Sequence, residues 1–68
     1  MSKLYSSKYI ISILVKNGFN YKSQKGSHVK LIKARLIVII PHPKKEIPLG
    51  TFKSILRQSK LDPKKFKP

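Results

Sequence analysis

The triplet Gly26-Ser27-His28 puts an imidazole directly after a turn signal, with Lys25 before it and Lys30 two residues beyond. An imidazole titrates near neutrality, so it can take a proton from one oxygen and return one to another. Lysines beside it can hold a phosphate and stabilise the charge that develops there. The Ser27 hydroxyl can donate to a phosphate oxygen. His28 with Lys25, Ser27 and Lys30 is therefore a candidate centre for phosphodiester chemistry. The second histidine, His42, stands between Pro41 and Pro43. It is the second acid/base candidate, because two imidazoles make the simplest metal-free ribonuclease pair. Both residues also have a plainer reading, His28 as a surface residue and His42 as part of a rigid loop, and spacing alone does not bring the two together.

The rest of the composition narrows the chemistry. The chain has two histidines, two acids (Glu46 and Asp62) and no cysteine. Scattered in this way they form no set with metal-ligand spacing, so any phosphodiester cleavage is expected to need no metal. Gly18, Gly26 and Gly50 are isolated and form no phosphate loop. A chain of 68 residues buries only about 60% of the surface its unfolded form exposes. That leaves no room for a deep cofactor pocket, and no cofactor is expected.

Sixteen Lys and Arg against two acids give a net charge of +14. Such a field calls for a polyanionic partner: nucleic acid, an anionic surface or an acidic protein. A cationic stripe adds to it, since Lys53, Arg57 and Lys60 recur at i, i+4 and i+7. With Lys44 and Lys45 these suit phosphate contacts, although a solvated helix face would look the same. The apolar run Leu36–Ile40 is far too short to cross a bilayer. The segment YIISILV is followed by Lys16-Asn17-Gly18 rather than a small-residue cleavage site. A soluble, cytoplasmic protein with no membrane partner is expected.

These side chains need elements to hold them. Ser6 and Ser7 are candidate N-caps for a helix over about residues 6–17, with Ile10, Ile13 and Leu14 as its inward stripe and Asn17-Gly18 as its stop. Ile11 and Val15 suggest burial beyond that stripe. Strands are expected over Phe19–Ser23, Ser27–Lys33 and Leu36–Ile40, joined by a turn at Lys25-Gly26 and the short link Lys33-Ala34-Arg35. Pro41 and Pro43 end the sheet. A second helix begins at Pro48 and turns Phe52, Ile55 and Leu56 inward. Residues 61–68 read as a basic tail with at most one short turn.

The expected fold class is α+β, one domain over residues 1–68 in the order α-β-β-β-α. Both helices lie on one face of a three-stranded antiparallel sheet, the layout of double-stranded-RNA-binding domains. The period of two puts Val29, Leu31, Leu36, Val38 and Ile40 under the helices, and His28, Lys30, Ile32, Ile37 and Ile39 on the open face. The apolar residues on that open face either mark a docking surface or reflect only the strand preference of β-branched side chains.

The runs KNGFNYKSQKGSH and VIIPHPKKEIPLGTFKSILRQSKL together closely resemble the HicA family of toxins, over roughly Ile10 to Leu61. The likeness rests on Asn17-Gly18-Phe19, Gln24-Lys25-Gly26-Ser27-His28, Pro41 with its basic loop, Pro48-x-Gly50-Thr51 and Ile55-Leu56. The resemblance implies a double-stranded-RNA-binding-like fold and an endoribonuclease that cuts mRNA, with His28 as the catalytic residue. It also implies control by a cognate acidic antitoxin of the HicB type. The chain departs from the family in the short Lys33-Ala34-Arg35 link, in the apolar third strand with Ile37 and Ile39, and in the basic tail after Leu61. Two other readings stay open: a double-stranded-RNA-binding module without chemistry, and a decayed toxin that only binds its antitoxin.

Overall fold

The computed structural model describes residues 4–68, so the first three residues of the expected domain lie outside the described residues. The order is α1 (Ser7–Lys16), β1 (Asn20–Lys25), β2 (His28–Lys33), β3 (Leu36–Pro41), α2 (Leu49–Ser59) and a closing 3-10 turn, Pro63–Phe66. The strands form an antiparallel sheet in the order β1-β2-β3. This is the expected small α+β fold, and its element order is compatible with the double-stranded-RNA-binding layout.

Helix α1 starts and stops as its sequence dictates. The Ser6 side chain accepts from the Tyr9 backbone N–H at 3.0 Å, meeting one of the four free donors of the first turn. At the other end Gly18 takes φ +96°, and the N–H groups of Gly18 and Phe19 donate to the carbonyls of Val15 and Leu14. Those paired bonds close the helix and drop Phe19 onto Leu14. Both side chains are buried, so Phe19 belongs to the core link and β1 begins one residue after it. Lys33 donates from Nζ to the Asn17 carbonyl at 2.8 Å and lies 5.8 Å from the Phe19 ring centroid. Ile11 is half-buried and Val15 is half-exposed, so α1 buries little beyond its single stripe.

The core joins every layer: Ile10 and Leu14 of α1, Phe19, Val29 and Leu31 of β2, Val38 and Ile40 of β3, Ile47, Ile55 of α2, and Phe66. Burying each such side chain contributes about 1.5–3 kcal/mol. α2 packs chiefly on β3, and the Gln58 side chain accepts from the Ile39 N–H at the strand's outer edge, 3.1 Å away. β1 stands clear of the helices, with all its residues exposed.

Residues 61–68 are more than a basic tail. Asp62 caps the 3-10 turn by accepting from the Lys64 N–H at 2.8 Å. That turn places the Phe66 ring at 0% exposure, 5.1 Å from Phe52 edge-on and 6.4 Å from Tyr5. The Tyr9 hydroxyl donates to the Phe66 carbonyl at 2.6 Å. Sequence reasoning missed this anchor because three lysines around one aromatic drown it in any averaged measure of hydropathy.

Two predictions follow from the packing. Phe66→Ala should lower stability by about 3–5 kcal/mol, the usual cost of emptying an aromatic core site, read as a fall in the urea midpoint; an unchanged midpoint would show the anchor to be idle. The β2–β3 turn holds Ala34 at φ +52°, where a Cβ is strained. Ala34→Gly should therefore stabilise the protein by about 0.5–1 kcal/mol, seen as a Tm higher by roughly 2–8 °C.

Candidate functional site

His28 opens β2, and the strand's alternation decides where it points. Val29 and Leu31 are buried under the helices, while His28, Lys30 and Lys33 are exposed. His28 and Lys30 therefore share the open face, about 6.6 Å apart along the strand. Across the sheet His28 is the register partner of Lys25 on β1 and of Pro41 on β3. The next row holds Ser23, Lys30 and Ile39. An imidazole thus sits in solvent with one lysine across from it and another beside it on the same strand.

The turn that delivers His28 needs its glycine for conformation rather than for space. Gly26 has φ +58°, and nothing lies within 4 Å of where a Cβ would be. A positive φ at the first central position of a two-residue hairpin matches the strand twist and is cheap only for glycine. Gln24 reaches over the turn, donating from Nε2 to the Gly26 carbonyl at 3.2 Å and to the His42 carbonyl at 3.5 Å. Ser27 lies exposed in the turn, and its carbonyl accepts from the His42 N–H at 2.8 Å. Gln24 is a positioning residue that spacing alone did not single out.

His42 is not brought to His28. Since Pro41 is the register partner of His28, the following residue projects to the helix side of the sheet. There the His42 Nδ1 lies 2.7 Å from the Ser7 hydroxyl oxygen. Ser7 is 1% exposed and also ties down the loop. Its N–H donates to the Lys44 carbonyl at 2.9 Å, and its oxygen accepts from the Lys44 N–H at 2.9 Å. Lys44 and Lys45 are exposed beside it.

The stripe of Lys53, Arg57 and Lys60 is exposed but lies elsewhere. α2 turns Ile55 and Ser59 inward, with Phe52 and Leu56 packed beside them. At 3.6 residues per turn Lys53 and Arg57 then fall on the opposite side of the helix. Lys60 lies past its end, as the C-cap at φ +63°, and so is not part of a helical stripe. Lys53 and Arg57 face away from the sheet, on the side of α2 opposite its buried residues. The cationic candidates therefore divide among the open sheet face, the β3–α2 loop and the outer face of α2. Among the described residues no three His, Cys, Asp or Glu side chains come together to hold a metal ion, and no helix is long and apolar enough to cross a membrane.

Comparison with individually curated proteins gives no match. A family model described as the HicA toxin of bacterial toxin–antitoxin matches residues 7–61. The matched segment runs from the first residue of α1 past the end of α2 and takes in the hairpin that carries His28. The chain belongs to the HicA family of toxins of bacterial toxin–antitoxin systems.

Proposed function

We propose that the protein is an mRNA-cleaving endoribonuclease in which His28 is the general acid/base. The observation that carries the reading is an exposed imidazole on the open sheet face with Lys25 across from it and Lys30 beside it, inside the segment matched to a toxin family. The substrate supplies the nucleophile. The ribose 2′-oxygen attacks the neighbouring phosphorus and gives up its proton as the bond to the 5′-oxygen breaks. The departing 5′-oxygen takes a proton, and the products are a 2′,3′-cyclic phosphate and a 5′-hydroxyl. His28 moves the proton at one of these oxygens, while the Lys25 and Lys30 ammonium groups offset charge on the phosphate. No step is assigned to His42, which faces α1.

The same face explains a cognate antitoxin, the partner that membership of a toxin–antitoxin family implies. Ile37 is 52% and Ile39 36% exposed, next to the row of cations. A partner with acidic groups around an apolar contact complements that surface and, seated there, covers His28.

His28→Ala should reduce RNA cleavage by about 10²–10⁴-fold, the usual worth of a general acid/base. Its thermal melt should not change, because an exposed side chain leaves no cavity. Wild-type cleavage should persist in EDTA and fail on 2′-O-methyl RNA. Full activity in the folded variant would remove His28 from the chemistry, and a wild-type protein that binds RNA without cutting it would be an RNA-binding module.

For the antitoxin, Ile37→Lys should weaken the complex by about tenfold or more, as loss of a central apolar contact does, with the melt of the free toxin unchanged. Calorimetric titration measures it, and an unaltered affinity would place the antitoxin on another surface.

A further inference from the structure

We propose that the depression between the start of α1 and the β3–α2 loop is a nucleotide subsite, distinct from the His28 face. It rests on the RNA reading above. The depression is lined by Ser6, Ser7, Lys8, His42, Pro43, Lys44 and Lys45 and has a volume of about 490 Å³, within the range of small-molecule sites. The Pro43 ring and the lysine stems offer carbon surface for a base or ribose. Lys8, Lys44 and Lys45 are exposed there with no acid among the lining residues, so the charge suits a phosphate.

His42 gives the depression a fixed polar group. Its ring is held by the buried Ser7 through Nδ1 at 2.7 Å, and Ser7 is in turn fixed by the backbone of Lys44. The hydroxyl has one proton. When it is given to Nδ1, the ring carries its own proton on Nε2 and offers an N–H donor there. When it goes instead to the Lys44 carbonyl, 3.2 Å away, Nδ1–H donates to the Ser7 oxygen and only a protonated ring offers the Nε2 donor. Nε2 has no partner among the described residues. The end of α1 contributes little, since its Ser7 and Tyr9 N–H groups are already bonded to Lys44 and Ser6. Side chains recognise the phosphate.

The position makes the subsite useful to the proposed activity. The His42 N–H donates to the Ser27 carbonyl, so a single backbone bond joins the depression to the turn that delivers His28. An RNA strand passing around this end of β2 and β3 would reach the open face with one nucleotide and the depression with another. Grip at two points on a strand favours orientation of the phosphate between them.

Nuclear magnetic resonance titration of His28→Ala protein, which keeps RNA intact, tests the proposal. Adenosine 5′-monophosphate should shift the His42 ring signals and the amides of Ser7, Lys8 and Lys44. Adenosine at the same concentration should not, and inorganic phosphate should bind more weakly than the nucleotide. The exposed double variant Lys8→Glu with Lys45→Glu, which should fold normally, should weaken nucleotide binding by about tenfold or more. Equal binding of adenosine would overturn phosphate recognition, and equal binding of inorganic phosphate would overturn the nucleotide assignment. Shifts confined to Lys25 and Lys30 would overturn the subsite and leave the cleavage reading standing. Conversely, shifts in the depression together with a wild-type protein that does not cut RNA would retain the nucleotide site and remove the cleavage reading alone.

Discussion

Val29 and Leu31 are buried against the helices, and the position of the candidate groups on and around β2 follows from that one fact. A strand turns alternate residues to opposite faces, so two buried residues at i and i+2 commit His28 and Lys30 to solvent. The β1–β2 register then brings Lys25 across from His28, and the β2–β3 register brings Pro41. His42, one residue on, is sent under the sheet to Ser7. A slip of one residue would exchange the two faces and bury the cations in place of the aliphatics, and the core therefore enforces the register. The site needs no loop to position it; hydrophobic burial of its neighbours does so.

That burial works against the protein's own charge. A net +14 on 68 residues opposes compaction by self-repulsion, and the core is small. The chain recovers cohesion by joining its ends. The aromatic group of Tyr5, Tyr9, Phe52 and Phe66 ties the segment before α1, both helices and the last turn into one cluster. Phe66 lies beyond the residues matched to the family, so part of what holds this domain together is supplied outside the matched segment. The same charge that loosens the free protein strengthens any complex with a polyanion, whether RNA or an acidic antitoxin.

The separation of the cations bears on how such partners are shared. Lys25 and Lys30 stand on the open sheet face, Lys8, Lys44 and Lys45 around the depression beside α1, and Lys53 and Arg57 on the outer face of α2 with Lys60 capping its C-terminal end. In the proposed reading an antitoxin on the open face silences His28 and leaves the other two groups in solvent. Control of the chemistry and general attraction for nucleic acid then reside on different surfaces, because only one face of the sheet is covered by helices.

The order of elements, a cap at Ser6 or Ser7, the stop at Gly18 and the assignment of His28 and Lys30 to the open face were legible in the chain itself. Each depends on interactions within a few residues or on the two-residue period of a strand, and these are local physics. The resemblance, carried by short motifs from Asn17-Gly18-Phe19 to Ile55-Leu56, pointed to the family because their order and spacing are read along the chain without a fold. The structure alone decided the partners that lie far apart in the chain. Whether His42 meets His28 turned on the parity of Pro41 in the β2–β3 register. The direction of the α2 stripe turned on which side of that helix meets β3. Ser7 was one of two serines suited to capping until Lys44, 37 residues away, bonded to it and left the cap to Ser6. Phe66 read as part of a charged tail until it met Phe52 and Tyr5. Such contacts join segments whose approach depends on how all the layers pack, and no local pattern encodes that approach.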